Sequence, residues 1–338
     1  MVASLTAIVP NYNHGRFLER AIAALQSQDP PPGEILIIDD ASTDDSVAVI
    51  KRSATSCPSI RLLQNEHNLG TVPSLNRGIS ESRSKYVYLA AADDMVHRGF
   101  FSKALALSEK YPKAAFTCGE CEIVNESGTV LAVRPPARPR QHAAYLAPSV
   151  VPRLLRWIDN WGLTSSAILR RDLVLSVGSL DSRLASFADG FLLRKLALRH
   201  GFCFIPSIMA EWMARPDGYS RSIAADPRKS LELLELACQK IVADPDFPDW
   251  YSELFRRRYQ FNISYIAACS DPPNRELLSK IAVRGLLDRL VIDTTLSFPH
   301  LGRYLAAGWL AVRMQPFSVM ALAQTAFVRR VQAWHLRR

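Results

Sequence analysis

Two adjacent carboxylates at the end of an apolar run, Asp93-Asp94 in YVYLAAADDMV, are the first residues whose chemistry asks for an explanation. Adjacent acids raise each other's cost of ionisation unless a cation lies beside them. A hard divalent cation such as Mg2+ takes oxygen ligands, commonly one or two carboxylates together with substrate phosphates. The pair therefore reads either as a metal–diphosphate site or as a solvated helix cap, since Asp also favours N-caps. Asp39-Asp40 in ILIIDDASTDDS poses a similar choice. These acids either read the base or ribose of a nucleotide or cap the next helix, with Asp44 in its first turn. A third polar run, Pro10-Asn11-Tyr12-Asn13, follows LTAIV.

Short apolar runs alternating with helical patterns must position these groups. The spacing predicts strands over 5–9, 34–39, 61–64 and 86–90, and helices over 16–28, 44–54 and 71–83. This rhythm argues an α/β fold with a mostly parallel central sheet and helices on both faces. Ligands bind such sheets outside the carboxyl ends of the strands, which is where all three polar runs fall. Residues 134–149, rich in Pro and Arg, read as a mobile loop; a helix is predicted over 189–200 and a strand over 202–206. Beyond 227 the pattern is helical, broken by prolines.

Four ordered strings, AIVPNYNHGRFLERAIAALQSQ, ILIIDDASTDDS, NEHNLGTVPSLNRGI and YVYLAAADDM, resemble the nucleotide-sugar half of the family 2 glycosyltransferases. These are inverting enzymes with the GT-A fold, and the resemblance extends over roughly residues 4–220. It implies that Asp40 contacts the nucleobase, with Asp39, Pro10, Tyr12 and Asn13 on the donor side. It makes Asp94 the ligand of Mg2+ or Mn2+ and Asp93 a contact to the ribose or sugar. The family's acidic triplet is reduced, since Ala92 stands at its first position. In SFADGFLLRKLALRHG, Asp189 matches the family's catalytic base, while Ala188 replaces the Glu before it. The alternative for Asp189 is an acid favoured near a helix N-terminus. In EWMARPDGYS, Arg215 stands where many members carry a His; as a fixed cation it would pair with donor phosphate but could not ligate a metal.

The implied domains are a transferase domain over 1–225, with a nucleotide-sugar half (1–120) and an acceptor half (121–225), then a basic helical region over 226–338. The implied partners are a nucleotide-diphosphate sugar, a UDP-sugar by base rate, and a glycan or lipid-linked acceptor of bacterial cell-surface polysaccharide synthesis.

Composition bounds these readings. The chain has 338 residues, 48% hydrophobic and 22% charged, which is globular composition. Its net charge of +9 is uneven: residues 251–338 hold 13 Lys+Arg against 5 Asp+Glu, whereas residues 1–250 hold 28 against 27. Such asymmetry points to an acidic partner. Trp309, Phe317, Phe327 and Trp334 beside arginines make 300–338 a candidate for an anionic membrane surface, against a packing appendage or oligomer interface; nucleic acid is the weaker choice. The six cysteines are scattered, and Cys118 and Cys121 read as packing residues of a strand rather than a zinc or redox pair. With no signal-peptide pattern and no apolar run of spanning length, the expected location is cytoplasmic, peripheral to the inner face of the plasma membrane if the tail binds lipid. The turn PNYNHG lacks the GxGxxG of a nicotinamide dehydrogenase, and no Gly-rich basic loop supports a nucleotidyltransferase. A binding module with a degenerate site is the remaining rival.

Overall fold

The computed structural model describes residues 4–215, 218, 226–270, 272–283, 285–298 and 302–316. Phe317, Phe327 and Trp334 of the basic tail lie outside them. The chain forms two compact units, 1–154 with 158–214, and 155–157 with 215–338.

The first unit is built on a mixed sheet of ten strands. In chain order these are β1 (Leu5–Asn11), β2 (Glu34–Asp39), β3 (Ile60–Gln64), β4 (Tyr86–Leu89), β5 (Met95–Val96), β6 (Phe116–Val124), β7 (Val130–Arg134), β8 (Ala144–Leu146), β9 (Ala167–Arg170) and β10 (Phe202–Met213). The order across the sheet is β3-β2-β1-β4-β9-β6-β10-β5, with β7 on β6 and β8 on β10. β1 runs parallel to β2 and β4, β2 to β3, and β6 to β10; β9 lies antiparallel between β4 and β6. Because β1 is covered on both faces, it buries Leu5, Ala7, Ile8 and Val9 without alternation. The predicted 202–206 strand continues to Met213, through register shifts between Ile205 and Ala210.

Helices α1 (Gly15–Gln26), α2 (Ser46–Ser56), α3 (Thr71–Glu81) and α4 (Phe100–Lys110) are followed by α5 (Val151–Trp157), α6 (Arg171–Ser176) and α7 (Ala188–His200). α1 buries Leu18, Ala21, Ile22 and Leu25, spaced i, i+3, i+4 and i+7. α3 lies so close to β1 that a Cβ on Gly78 would stand 2.3 Å from Ile8 Cγ2. Register sets Asn11 opposite Asp39 at the carboxyl edge. The 134–149 segment is anchored: Arg138 donates from Nε and Nη2 to Glu120 at 2.6 and 2.8 Å, and Ala144–Leu146 pairs with β10. Cys118 and Cys121 are both buried in β6, with burial foremost among the causes that push their thiols up.

The second unit contains α8 (Pro227–Ala243), α9 (Tyr251–Cys269), α10 (Arg275–Ile281), α11 (Leu286–Leu296) and α12 (Gly302–Met314). Its core includes Ile263, Leu277, Leu278, Ile281, Ile292, Ala306 and Leu310. Buried Arg258 donates to the carbonyls of Leu155, Arg156 and Pro316 at 2.7, 3.0 and 2.8 Å. No described helix is long and apolar enough to cross a membrane.

Candidate active site

The loops after β1 and β2 are tied by reciprocal hydrogen bonds. Asn11 Nδ2 donates to Asp39 Oδ1 at 2.9 Å and to Ser42 Oγ at 3.1 Å, and the Ser42 amide donates to Asp39 Oδ2 at 3.1 Å. Asn13, in the left-handed region at φ 54°, accepts from the amides of Thr43 and Asp44 at 2.7 and 3.3 Å. Asp44 accepts from the Gly15 and Ser46 amides, both at 3.0 Å. Pro10 is half-buried at the end of β1, and the Tyr12 ring beyond it is exposed.

Asp40 performs a parallel task on the other side of β2. It accepts from Asn65 Nδ2 at 2.6 Å and from the amides of Leu69 and Gly70 at 3.0 and 2.7 Å. Gly70 makes this possible at φ 93°, a backbone that L side chains rarely adopt. The two acids of ILIIDD thus fold the rim of the edge, and both are buried.

Asp94 lies in a different environment. It is 6% exposed; its Oδ2 accepts from Ser165 Oγ at 2.5 Å and its Oδ1 from the Met213 amide at 3.1 Å. Burial first, and then the neighbouring Asp93 charge, push its carboxyl up to about 7 against these hydrogen bonds and Arg20. Arg20 reaches this corner by donating to the Asp93 carbonyl at 3.1 Å. Ala92, where the family resemblance expects an acid, is packed in the core at 2% exposure, a place where a carboxylate would be desolvated.

Asp189 opens α7 in its first turn, as the sequence predicts. Its Oδ1 accepts from the Gly190 amide at 2.6 Å and its Oδ2 from Thr164 Oγ1 at 3.5 Å. Burial holds its carboxyl above the usual carboxylate range, opposed by the Gly190 bond, Arg194 and Thr164. Ala188, at the position of the absent Glu, is buried.

Thr164–Ser166, a 3-10 turn leading into β9, ties the two acids together. Neighbouring residues reach them: Thr164 bonds Asp189, and Ser165 bonds Asp94. Tyr88 clamps this turn by donating its hydroxyl to the Ser165 carbonyl at 2.7 Å, and Ser166 Oγ donates to the Gly119 carbonyl at 3.1 Å. The sequence assigns these residues no role of their own; Ser165 and Ser166 open the string SSAILRRDLVLSVGSLDSRL, which resembles the family's segment before the catalytic base. Arg215 is buried two residues after the end of β10 and belongs to the second unit.

Among the described residues no three His, Cys, Asp or Glu side chains gather to hold a metal. The chain nevertheless fits a cation of the kind that takes one or two carboxylates and completes its shell with substrate phosphate. Asp94 is a buried carboxylate whose ionised form is only partly compensated, since burial and the Asp93 charge outweigh its two hydrogen bonds and Arg20; each oxygen retains acceptor capacity, and Asp93 is adjacent.

Residues 6–139 match the profile described as Glycosyl transferase family 2. The uncharacterized glycosyltransferase YibD of Escherichia coli is 36% identical over 104 residues, 31% of this chain and 30% of that protein. The GalNAc(5)-diNAcBac-PP-undecaprenol beta-1,3-glucosyltransferase of Campylobacter jejuni is 30% identical over 124 residues, 36% of this chain and 39% of that protein. For the first curated relatives, the matched stretches span between 30% and 64% of their own lengths. Among solved structures, S. aureus TarS in complex with UDP-GlcNAc superposes with a TM-score of 0.61 at 16% identity, covering 90% of this chain and 88% of that one. The mannosyltransferase PcManGT of Pyrobaculum calidifontis, in complex with GDP-Man and Mn2+, has a TM-score of 0.58 at 17% identity, with coverage of 96% and 88%.

Proposed function

We propose, from the match of residues 6–139 to glycosyl transferase family 2 and from the GT-A fold, that the protein transfers a sugar from a UDP-sugar to a hydroxyl of a glycan or lipid-linked acceptor, with inversion, in the synthesis of bacterial cell-surface polysaccharide. The observation that carries this reading is the Thr164–Ser165 turn, whose adjacent side chains hold the acid suited to the diphosphate end and the acid suited to proton removal.

In this reaction Asp189 takes the proton from the acceptor hydroxyl as its oxygen attacks the anomeric carbon. The bond from that carbon to the diphosphate oxygen breaks, and the electron pair leaves with the nucleoside diphosphate. A carboxyl held above its usual range is a stronger base than an exposed Asp, and burial supplies that shift. Asp94 would hold Mg2+ or Mn2+ together with the donor diphosphate, with Asp93 toward the ribose or sugar; that ion, when bound, supplies Lewis-acid neutralisation of the leaving charge. The loops held by buried Asp39 and Asp40 shape the nucleoside end, with Pro10, Tyr12 and Asn13 along its rim. Arg215 is assigned to donor phosphate.

The test is release of nucleoside diphosphate from a panel of UDP- and GDP-sugars, with and without Mn2+, in wild type and Asp189→Asn. Turnover is expected to fall by about 10²–10⁴-fold in the variant while donor binding persists. Equal turnover removes Asp189 as the base. Binding without turnover across the panel favours the second reading, a nucleotide-sugar binding protein; Ala92 and Ala188, apolar at two acidic positions of the family, are the observations on its side.

A further inference from the structure

The C-terminal unit presents an apolar face with no part in the reaction proposed at Asp94 and Asp189. α11 buries Ile292 and packs Leu296 against the core of the unit, and α12 buries Ala306, Leu310 and Met314 against the same core. Their opposite arcs therefore face away from that core. On α11 the outward arc carries Leu286, Leu287 and Leu290, exposed to 74%, 63% and 56%. On α12 it carries Tyr304, Leu305 and Val312, exposed to 60%, 48% and 67%. Six large side chains left this open on two joined helices forgo burial, as at surfaces that make contacts. The two helices are fixed to each other by Asp288, 1% exposed, which accepts from Trp309 Nε1 at 3.1 Å and from Arg313 Nε and Nη2 at 2.8 and 3.1 Å.

Charge selects what covers this face. Residues 251–338 carry 13 Lys+Arg against 5 Asp+Glu, and residues 317–338, which follow α12 in the chain, contain four arginines and no acid. On α11, Arg289 is exposed among the leucines, and Asp293 is paired with Arg275 at 2.8 Å. Apolar side chains set among basic residues suit the boundary between anionic headgroups and acyl chains. A second copy of this chain would bring like charge against like. We propose that α11 and α12 are an interfacial docking surface for an anionic lipid bilayer, with Leu286, Leu287, Leu290, Tyr304, Leu305 and Val312 entering the headgroup layer.

The experiment is flotation of the full chain with phosphatidylcholine vesicles containing about 30% phosphatidylglycerol, or none, read alongside donor hydrolysis without vesicles. Wild type is expected to float with the anionic vesicles only, and less so in high salt. Leu286→Glu/Leu290→Glu, and separately Leu305→Glu/Val312→Glu, are expected to lower the bound fraction at least about tenfold, with hydrolysis and circular dichroism unchanged. Arg289→Glu, which leaves the apolar face intact, is expected to weaken flotation on anionic vesicles alone. Wild type that does not float, or paired variants that float equally, overturns the proposal while leaving the transferase reading standing if hydrolysis persists. Two other results would also overturn it: dimers in wild type that the leucine variants dissociate, or faster amide exchange at 286–290 on deletion of 317–338, since a second copy or the tail would then be the cover.

Discussion

The acids at the end of β2 and the acid after β4 are both written DD in the sequence, yet they occupy opposite electrostatic situations. At Asp39 and Asp40 every carboxylate oxygen meets a donor, and three of those donors are backbone amides held in place by the loops themselves. At Asp94 burial and the Asp93 charge outweigh the two hydrogen bonds, and the carboxyl is pushed up to about 7. The first pair is taken up in hydrogen bonds of the loops; at Asp94 the donors and Arg20 leave the carboxyl raised. Burying a charge is tolerable when fixed dipoles surround it and costly when they do not, so two DD strings alike in sequence differ in what the fold supplies to them.

The largest test of that contrast is Asp40→Ala. It leaves Asn65 Nδ2 and the Leu69 and Gly70 amides without their acceptor, and is expected to destabilise the protein by on the order of 3–5 kcal/mol in urea melts. A loss under about 1 kcal/mol would mean that the 65–70 loop does not depend on Asp40.

Asp94→Asn should act with the opposite sign in EDTA. The folded carboxyl titrates above its unfolded value, so the folded state binds more protons and wild-type stability falls as pH rises from about 4 to about 7. The amide abolishes that fall, so at pH 8 the variant is expected to be more stable than wild type by on the order of 2–4 kcal/mol. Saturating Mn2+ should reverse the ranking. A variant less stable than wild type at pH 8 without metal would contradict the picture of a charge only partly compensated.

Smaller again is Ser165→Ala, which removes the side-chain donor to Asp94 Oδ2 while Met213 keeps Oδ1. Groups that orient a metal ligand commonly change affinity by about 10–100-fold when removed. Mn2+ titration in the presence of UDP is expected to show a loss in that range, partly recovered by Ser165→Thr. The mildest effect concerns pH. As the proposed base, Asp189 must be ionised to accept a proton, so transfer should rise with pH along an acid limb centred above the ordinary Asp range. A limb at or below that range would show that burial does not tune this carboxyl.

Much of the donor edge was legible before any coordinates. Buried strands such as LTAIV and EILIID, each followed by polar residues, identified the α/β rhythm, and register alone then sets Asn11 beside Asp39. Asp189 in the first turn of a helix with Leu192, Leu193 and Leu196 buried could also be read locally. Less legible was the 134–149 segment: its Pro and Arg content suggests mobility, but the Arg138–Glu120 pair and the pairing of Ala144–Leu146 with β10 are contacts that composition does not encode.

Sequence by itself determined which chemistry is available: acids ordered along one sheet edge, an acid at the start of a helix, and an excess of positive charge beyond residue 250. Tertiary structure alone decided how those acids differ. Ser165 meets Asp94 from 71 positions away, Tyr88 reaches the Ser165 carbonyl across 77, and Ala92 is enclosed in the core. Periodicity and capping preferences act over a few residues, whereas the desolvation of Asp94 and the turn that links it to Asp189 arise only when β9 inserts beside β4.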